Sequence, residues 1–123
     1  MSLGRSTIAL SLLAVTLALA GTACGSSSPS APTTSSADVT INMVGNLGSQ
    51  SFSPNPTAMR VGQTVAWKNA DSITHDVAQD AGRFSTPTVS AGTTSAPITM
   101  GTAGTFTYHC TIHPGMVGTI TVQ

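Results

Sequence analysis

The chain has 123 residues, enough for one domain. Its formal net charge is zero, charged side chains make up only 7 %, and all four acidic residues are aspartates. The four cations, Arg5, Arg60, Lys68 and Arg83, are scattered, which excludes the clustered basic surface that nucleic-acid binding requires.

Residues 1–7 carry one positive charge, Arg5, and residues 8–20 are almost wholly apolar. That run is shorter than the ~20 apolar residues a membrane-spanning helix needs. Small residues, Gly21, Thr22 and Ala23, close it, so residues 1–23 read as an export signal rather than a core helix. Cys24 stands directly behind, an arrangement that resembles the lipobox of bacterial lipoproteins, in which the cysteine is lipidated and becomes the mature N-terminus. The leucine usual three residues before that cysteine is here Gly21. Ordinary cleavage after Ala20 or Ala23 is the alternative, but it leaves an exposed thiol in an oxidising compartment. Cys24 and Cys110 are the only cysteines. Export favours pairing in general, yet each sits in a context with its own use, and no disulfide is expected between them.

Residues 24–37 are rich in Ser, Pro and Thr and show no apolar periodicity. Such a segment cannot bury enough surface to offset the entropy of ordering, and it reads as a flexible tether. The folded domain is expected over residues 38–123, all of it β. Val39, Ile41 and Met43 alternate with polar neighbours, the period-two pattern of a half-buried strand. Val65 and Trp67 alternate in a second strand, behind a turn at Arg60, Val61, Gly62 and Gln63. Ile73, His75 and Val77 are placed on one face of a third, and Ile98 with Met100 on a fourth. Phe106, Tyr108 and Cys110 point one way in a fifth, opposite Thr105, Thr107 and His109, and Ile120 with Val122 closes the last. Gly and Pro punctuate these runs, and no helical period appears past the signal. Several short strands with frequent turns predict a β-sandwich.

The chemistry concentrates in residues 108–118, which contain Cys110, His113 and Met116 spaced Cys-x2-His-x2-Met. Soft sulfur donors select copper or zinc over hard cations, and imidazole suits both. Two histidines, one cysteine and a weak axial methionine make a blue-copper set. The second equatorial imidazole must come from elsewhere, and outside the loop and its neighbour His109 the sole candidate is His75. His109, adjacent to Cys110, faces the opposite side of its strand and is expected to take no part.

Two stretches carry a wider likeness. Residues 60–69 (RVGQTVAWKN) with His75, and residues 101–122 with the ligand loop, resemble the cupredoxins, and among them the plastocyanin and amicyanin family. The short gap between His113 and Met116 is the amicyanin-like form of the loop. The resemblance implies a Greek-key β-sandwich over residues 38–123. It also implies one copper ion cycling between Cu(I) and Cu(II), with His75, Cys110 and His113 equatorial and Met116 axial. It assigns Asn69 to bracing the ligand loop, with its backbone amide approaching the cysteine sulfur. Ile112 stands where a Pro is frequent, Thr74 where Pro is common, and Asp76 where Asn is common. The function so implied is one-electron transport by a lipid-anchored monomer at the cell surface or the periplasmic side of the cytoplasmic membrane. It would exchange electrons with redox partner proteins and touch the membrane only through Cys24. Storage or delivery of copper through the same site is the alternative, and a metal-free adhesion module is weaker still because it leaves the donor set without a purpose. The chain is not expected to be an enzyme. After two ligands, His109 alone remains for any further copper cluster, and a dinuclear purple site would need a second cysteine in the loop.

Overall fold

The computed structural model describes residues 36–123. The export signal, Cys24 and all but the end of the tether lie outside the described residues. Eight strands form: β1 (Val39–Met43), β2 (Phe52–Ser53), β3 (Thr57–Met59), β4 (Thr64–Asn69), β5 (Ala78–Gln79), β6 (Ile98–Thr99), β7 (Gly104–His109) and β8 (Val117–Val122). They make two four-stranded sheets, ordered β2-β1-β4-β6 and β3-β8-β7-β5. β1 pairs with β4 in parallel and β3 pairs with β8 in parallel. Parallel neighbours cannot be joined by a tight hairpin, and from β2 to β7 every successive strand lies in the other sheet, so the chain crosses between the sheets five times. That is the expected Greek-key sandwich.

Alternation decides the core. Ile41, Met43, Val65, Trp67, Phe106, Tyr108, Ile120 and Val122 all face inward and are buried. The Tyr108 ring meets Phe52 and Trp67 edge-on, with centroids 4.8 and 5.6 Å apart, and Phe84 stacks on Trp67 at 5.8 Å. Edge-to-face pairs of this kind add to the burial of area. Burial pushes the Tyr108 phenol up to about 12, with the Trp67 indole opposing, so it stays protonated at any ordinary pH.

Three expectations are corrected. Strands β2, β3 and β5 were not anticipated, because two or three residues are too few to display a period and Pro54 and Pro56 read as turn. A single 3₁₀ turn at Gly48–Gln50 also lies outside the all-strand reading. The proposed strand through Ile73, His75 and Val77 does not form. Asn69 captures the carbonyl of Ile73 through Nδ2 (2.7 Å) and the amide of Asp71 through Oδ1 (2.9 Å), which curls the segment. Alternation is lost there: His75 and Val77 are buried, but Ile73 is 47 % exposed.

β7 and β8 form the hairpin that presents the functional loop, in a register that sets Tyr108 opposite Gly118 and His109 opposite Val117. Gly118 lies under the Tyr108 ring, and a Cβ there would overlap the ring carbons and hydroxyl. Gly118→Ala is therefore expected to destabilise the metal-free protein by about 2 kcal/mol, the scale of core overpacking. A fall in the urea midpoint with an unchanged m-value would register it.

Candidate metal centre

Cys110 leaves the end of β7 and Met116 stands just before β8, so the hairpin delivers both ends of the loop to one place. The loop is closed from within. The Cys110 amide donates to the Met116 carbonyl (3.1 Å), and the Met116 amide donates to the His113 carbonyl (2.9 Å). Cys110 and Met116 are wholly buried, while His113 is half-buried.

His75 comes from the segment between β4 and β5, the latter being the strand that pairs with the end of β7. Its backbone exchanges two hydrogen bonds with Val89, 3.2 and 2.7 Å, and Asn69 Nδ2 donates to the same Val89 carbonyl at 2.9 Å. Its ring is entirely buried, and Nε2 lies 2.9 Å from Asp71 Oδ2. A carboxylate can only accept, so Nε2 is the nitrogen that donates to Asp71, and Nδ1 is the one turned toward the cluster. That hydrogen bond, followed by one from the Ser72 amide, holds the Asp71 carboxyl below the usual carboxylate range.

Three of the four sequence-assigned donors meet at short distances. His75 Nδ1 is 3.8 Å from Cys110 Sγ, His113 Nδ1 is 3.9 Å from the same sulfur, and the two nitrogens are 3.2 Å apart. The point equidistant from all three lies about 2.1 Å from each, the length of a metal–nitrogen bond and a little short of the roughly 2.3 Å of a metal–sulfur bond. Among the described residues this is the one cluster of its kind. Met116 supplies a thioether with no access to solvent. Hard cations would demand oxygen donors, and none belongs to the cluster; a thiolate with two imidazoles and a thioether fits copper.

The Cys110 side is tied to the His75 side by Asp76. Its amide approaches Cys110 Sγ at 3.5 Å. Its carboxylate accepts from the Thr111 amide at 2.6 Å and from the Thr111 hydroxyl. Burial pushes the Asp76 carboxyl up, but these hydrogen bonds outweigh it and leave it below the usual range. This corrects the part assigned to Asn69. The Asn69 amide donates instead to the Thr93 carbonyl at 2.8 Å, and its side chain braces the His75 segment. The amide next to the sulfur belongs to the residue that follows the histidine, because a short extended step carries it across to Cys110. The expectation for His109 holds. Its Nδ1 pairs with Asp80 Oδ1 at 2.7 Å on the far face of β7, away from the cluster.

Residues 39–123 match the family of copper binding proteins described as plastocyanin/azurin. A plastocyanin from Scenedesmus fuscus is 31 % identical, over 70 % of this chain and its own entire length. Among solved structures, a purple cupredoxin from Nitrosopumilus maritimus aligns with a TM-score of 0.61 at 29 % identity, covering 70 % of this chain and all of that one. An amicyanin variant in its Cu(I) form aligns with a TM-score of 0.57 at 26 % identity, covering 69 % and 81 %. A copper-containing nitrite reductase from Thermus scotoductus aligns at 34 % identity and a TM-score of 0.61; the match spans 69 % of this chain but only 22 % of the reductase.

The Asp76–Thr111 tie can be cut without touching a donor. Asp76→Ala should lower the stability of the metal-free protein by about 1 kcal/mol, the scale of a hydrogen-bonded side chain near the surface. Asp76→Asn keeps one acceptor oxygen and should lose less. Denaturant unfolding of the two variants beside the parent protein measures the order.

Proposed function

Because the chain belongs to the plastocyanin/azurin family of copper-binding proteins, we propose that it is a mononuclear blue copper protein that carries single electrons. The observation that supports this most is the convergence of His75 Nδ1, His113 Nδ1 and Cys110 Sγ on one point within bonding reach of all three. In this reading those atoms are the equatorial donors and Met116 is the axial one. Copper bound there supplies a one-electron couple.

The chain's own part is to keep the donors still. Cys110 and Met116 are fixed by the loop closure and the β7–β8 ladder, and His75 by Val89 and Asp71. Donors that barely move when the charge changes keep the barrier to transfer low. His113, half-buried at the loop tip, is the gateway. Beside it Ile112 is 48 % exposed, and Pro114 and Gly115 are exposed and uncharged. A partner can approach such a surface without stripping water from charges, which suits brief encounters with redox proteins. Storage or delivery of copper would use the same donors, but His75, Cys110 and Met116 are wholly buried, which favours retention over exchange. Catalysis has little left to draw on: the chain's remaining histidine, His109, is engaged with Asp80.

Loaded with Cu(II), the protein should show an intense blue thiolate-to-copper band, and Cys110→Ser should abolish it. His75→Ala should weaken copper binding by more than about 100-fold, beyond the loss typical of an outer-shell partner. Met116→Leu should retain copper and raise the reduction potential, since the axial ligand tunes it. A colourless Cu(II) complex of the unaltered protein would remove the blue-copper reading.

The same proposal extends to location. Export through residues 1–23 and lipidation of Cys24 would hold the domain on its 24–37 tether at the outer face of a membrane. The unaltered protein should then fractionate with membranes, and Cys24→Ala should move it to the soluble fraction or block its maturation. Soluble parent protein with an unmodified N-terminus would mean ordinary secretion.

A further inference from the structure

Among the described residues, two histidine–carboxylate pairs form, and they differ in kind. His109–Asp80 lies at the surface, with side-chain exposures of 35 % and 48 %. His75–Asp71 joins a ring of zero exposure to a carboxylate that is 22 % exposed. The Asp71 carboxylate is also set in place before any metal arrives. Its Oδ1 accepts from the Ser72 amide at 2.6 Å, and its own amide donates to Asn69 Oδ1 at 2.9 Å. Gly45, at φ +131°, lies over the pair: a Cβ there would stand 3.6 Å from Asp71 Oδ2.

We propose that Asp71 is a positioning residue that fixes the tautomer and orientation of His75 and holds the reduction potential of the copper site down. This rests on His75 being a copper ligand, as proposed above. The proton on Nε2 is committed to Asp71, so Nδ1 can only be the donor toward Cys110 and His113. A carboxylate on the far nitrogen also makes the imidazole a stronger donor, as outer-shell carboxylates do for metal-bound histidines. Its negative charge, brought close to a buried ring, favours the more highly charged oxidation state. Both effects stabilise Cu(II) over Cu(I). Asp76 and Asp80 carry the same formal charge nearby, but neither contacts a donor nitrogen of the cluster.

The test compares Asp71→Asn, Asp71→Ala and the charge-matched control Asp80→Asn in the copper-loaded, full-length protein. Asp71→Asn retains an oxygen that can accept from Nε2 while losing the charge. It should keep the blue band and raise the reduction potential measured by voltammetry. Asp71→Ala should raise it as well and lower copper affinity by about 10- to 100-fold, the usual cost of losing such a partner. Asp80→Asn should shift the potential much less. An unchanged potential in Asp71→Asn, or an equal shift in Asp80→Asn, overturns the proposal; Asp71→Asn carries the test alone if Asp71→Ala does not fold. A parent protein without the blue band would refute the copper assignment instead. The hydrogen bond is then judged in the metal-free protein by nitrogen-15 NMR. A protected His75 Nε2 proton that disappears in Asp71→Ala supports the positioning role, and its absence from the parent protein overturns it.

Discussion

Two imidazole nitrogens 3.2 Å apart, each within 4 Å of one sulfur and mostly shut away from water, form an arrangement that no fold adopts for its own stability. Apart from the approach of the Asp76 amide to the sulfur at 3.5 Å, the buried donor atoms have exchanged water mainly for one another, which is costly for polar groups. A cation at their common centre would satisfy all three at once. Until one binds, the cost falls on the surrounding structure, and nearly every local feature at this end of the sandwich can be traced to that requirement.

The load is divided between two independent supports. The β7–β8 ladder and the short bonds inside the 110–116 loop set Cys110, His113 and Met116 relative to one another. Asn69, Val89 and Asp71 set His75. Asp76 joins the two, with its amide toward the sulfur and its carboxylate on Thr111. The aromatic cluster of Phe52, Trp67, Phe84 and Tyr108 belongs to the core, and Tyr108 is connected to the site through strand β7, which Cys110 directly follows. Core packing is thus transmitted to the donors by strand β7 rather than by contact with a metal.

Much of this was legible in the residues. Strands β1, β4, β7 and β8 are long enough for the inward alternation of Ile41, Trp67, Tyr108 and Ile120 to repeat, and repetition is what a periodic reading detects. The donors were legible because a cysteine, two histidines and a methionine are scarce, and a chain with three histidines leaves few combinations. What escaped was local and aperiodic. β3 and β5 exist through pairing with partners distant in sequence, as Thr57 with Ile120 and Ala78 with His109, and β2 is a two-residue pairing with the end of β1. Ile73 reads as a core residue until Asn69 is seen to hold its carbonyl and turn it outward. The exchange of roles between Asn69 and Asp76 has the same origin: which amide meets the sulfur depends on backbone direction after His75, and no residue type announces that direction.

The carboxylates show the economy of the result. A chain with 7 % charged residues has four aspartates. Asp71 is bonded to His75, Asp76 to the loop residue Thr111, and Asp80 to His109, the neighbour of Cys110. Only Asp38 serves elsewhere, accepting from the amide and hydroxyl of Thr64 where β1 and β4 begin. Colloidal solubility would be met by charges placed anywhere on the surface, so this concentration needs a cause belonging to the site. Each of the three carboxylates accepts a proton-bearing group that would otherwise be free to reorient: an imidazole, a loop amide with its hydroxyl, and a second imidazole. Fixing the first two removes alternative arrangements of His75 and of the loop that carries Cys110. Two of the four aspartates, Asp71 and Asp76, therefore brace the donor cluster without contributing a ligand atom to it, while Asp80 holds His109 on the far face of β7.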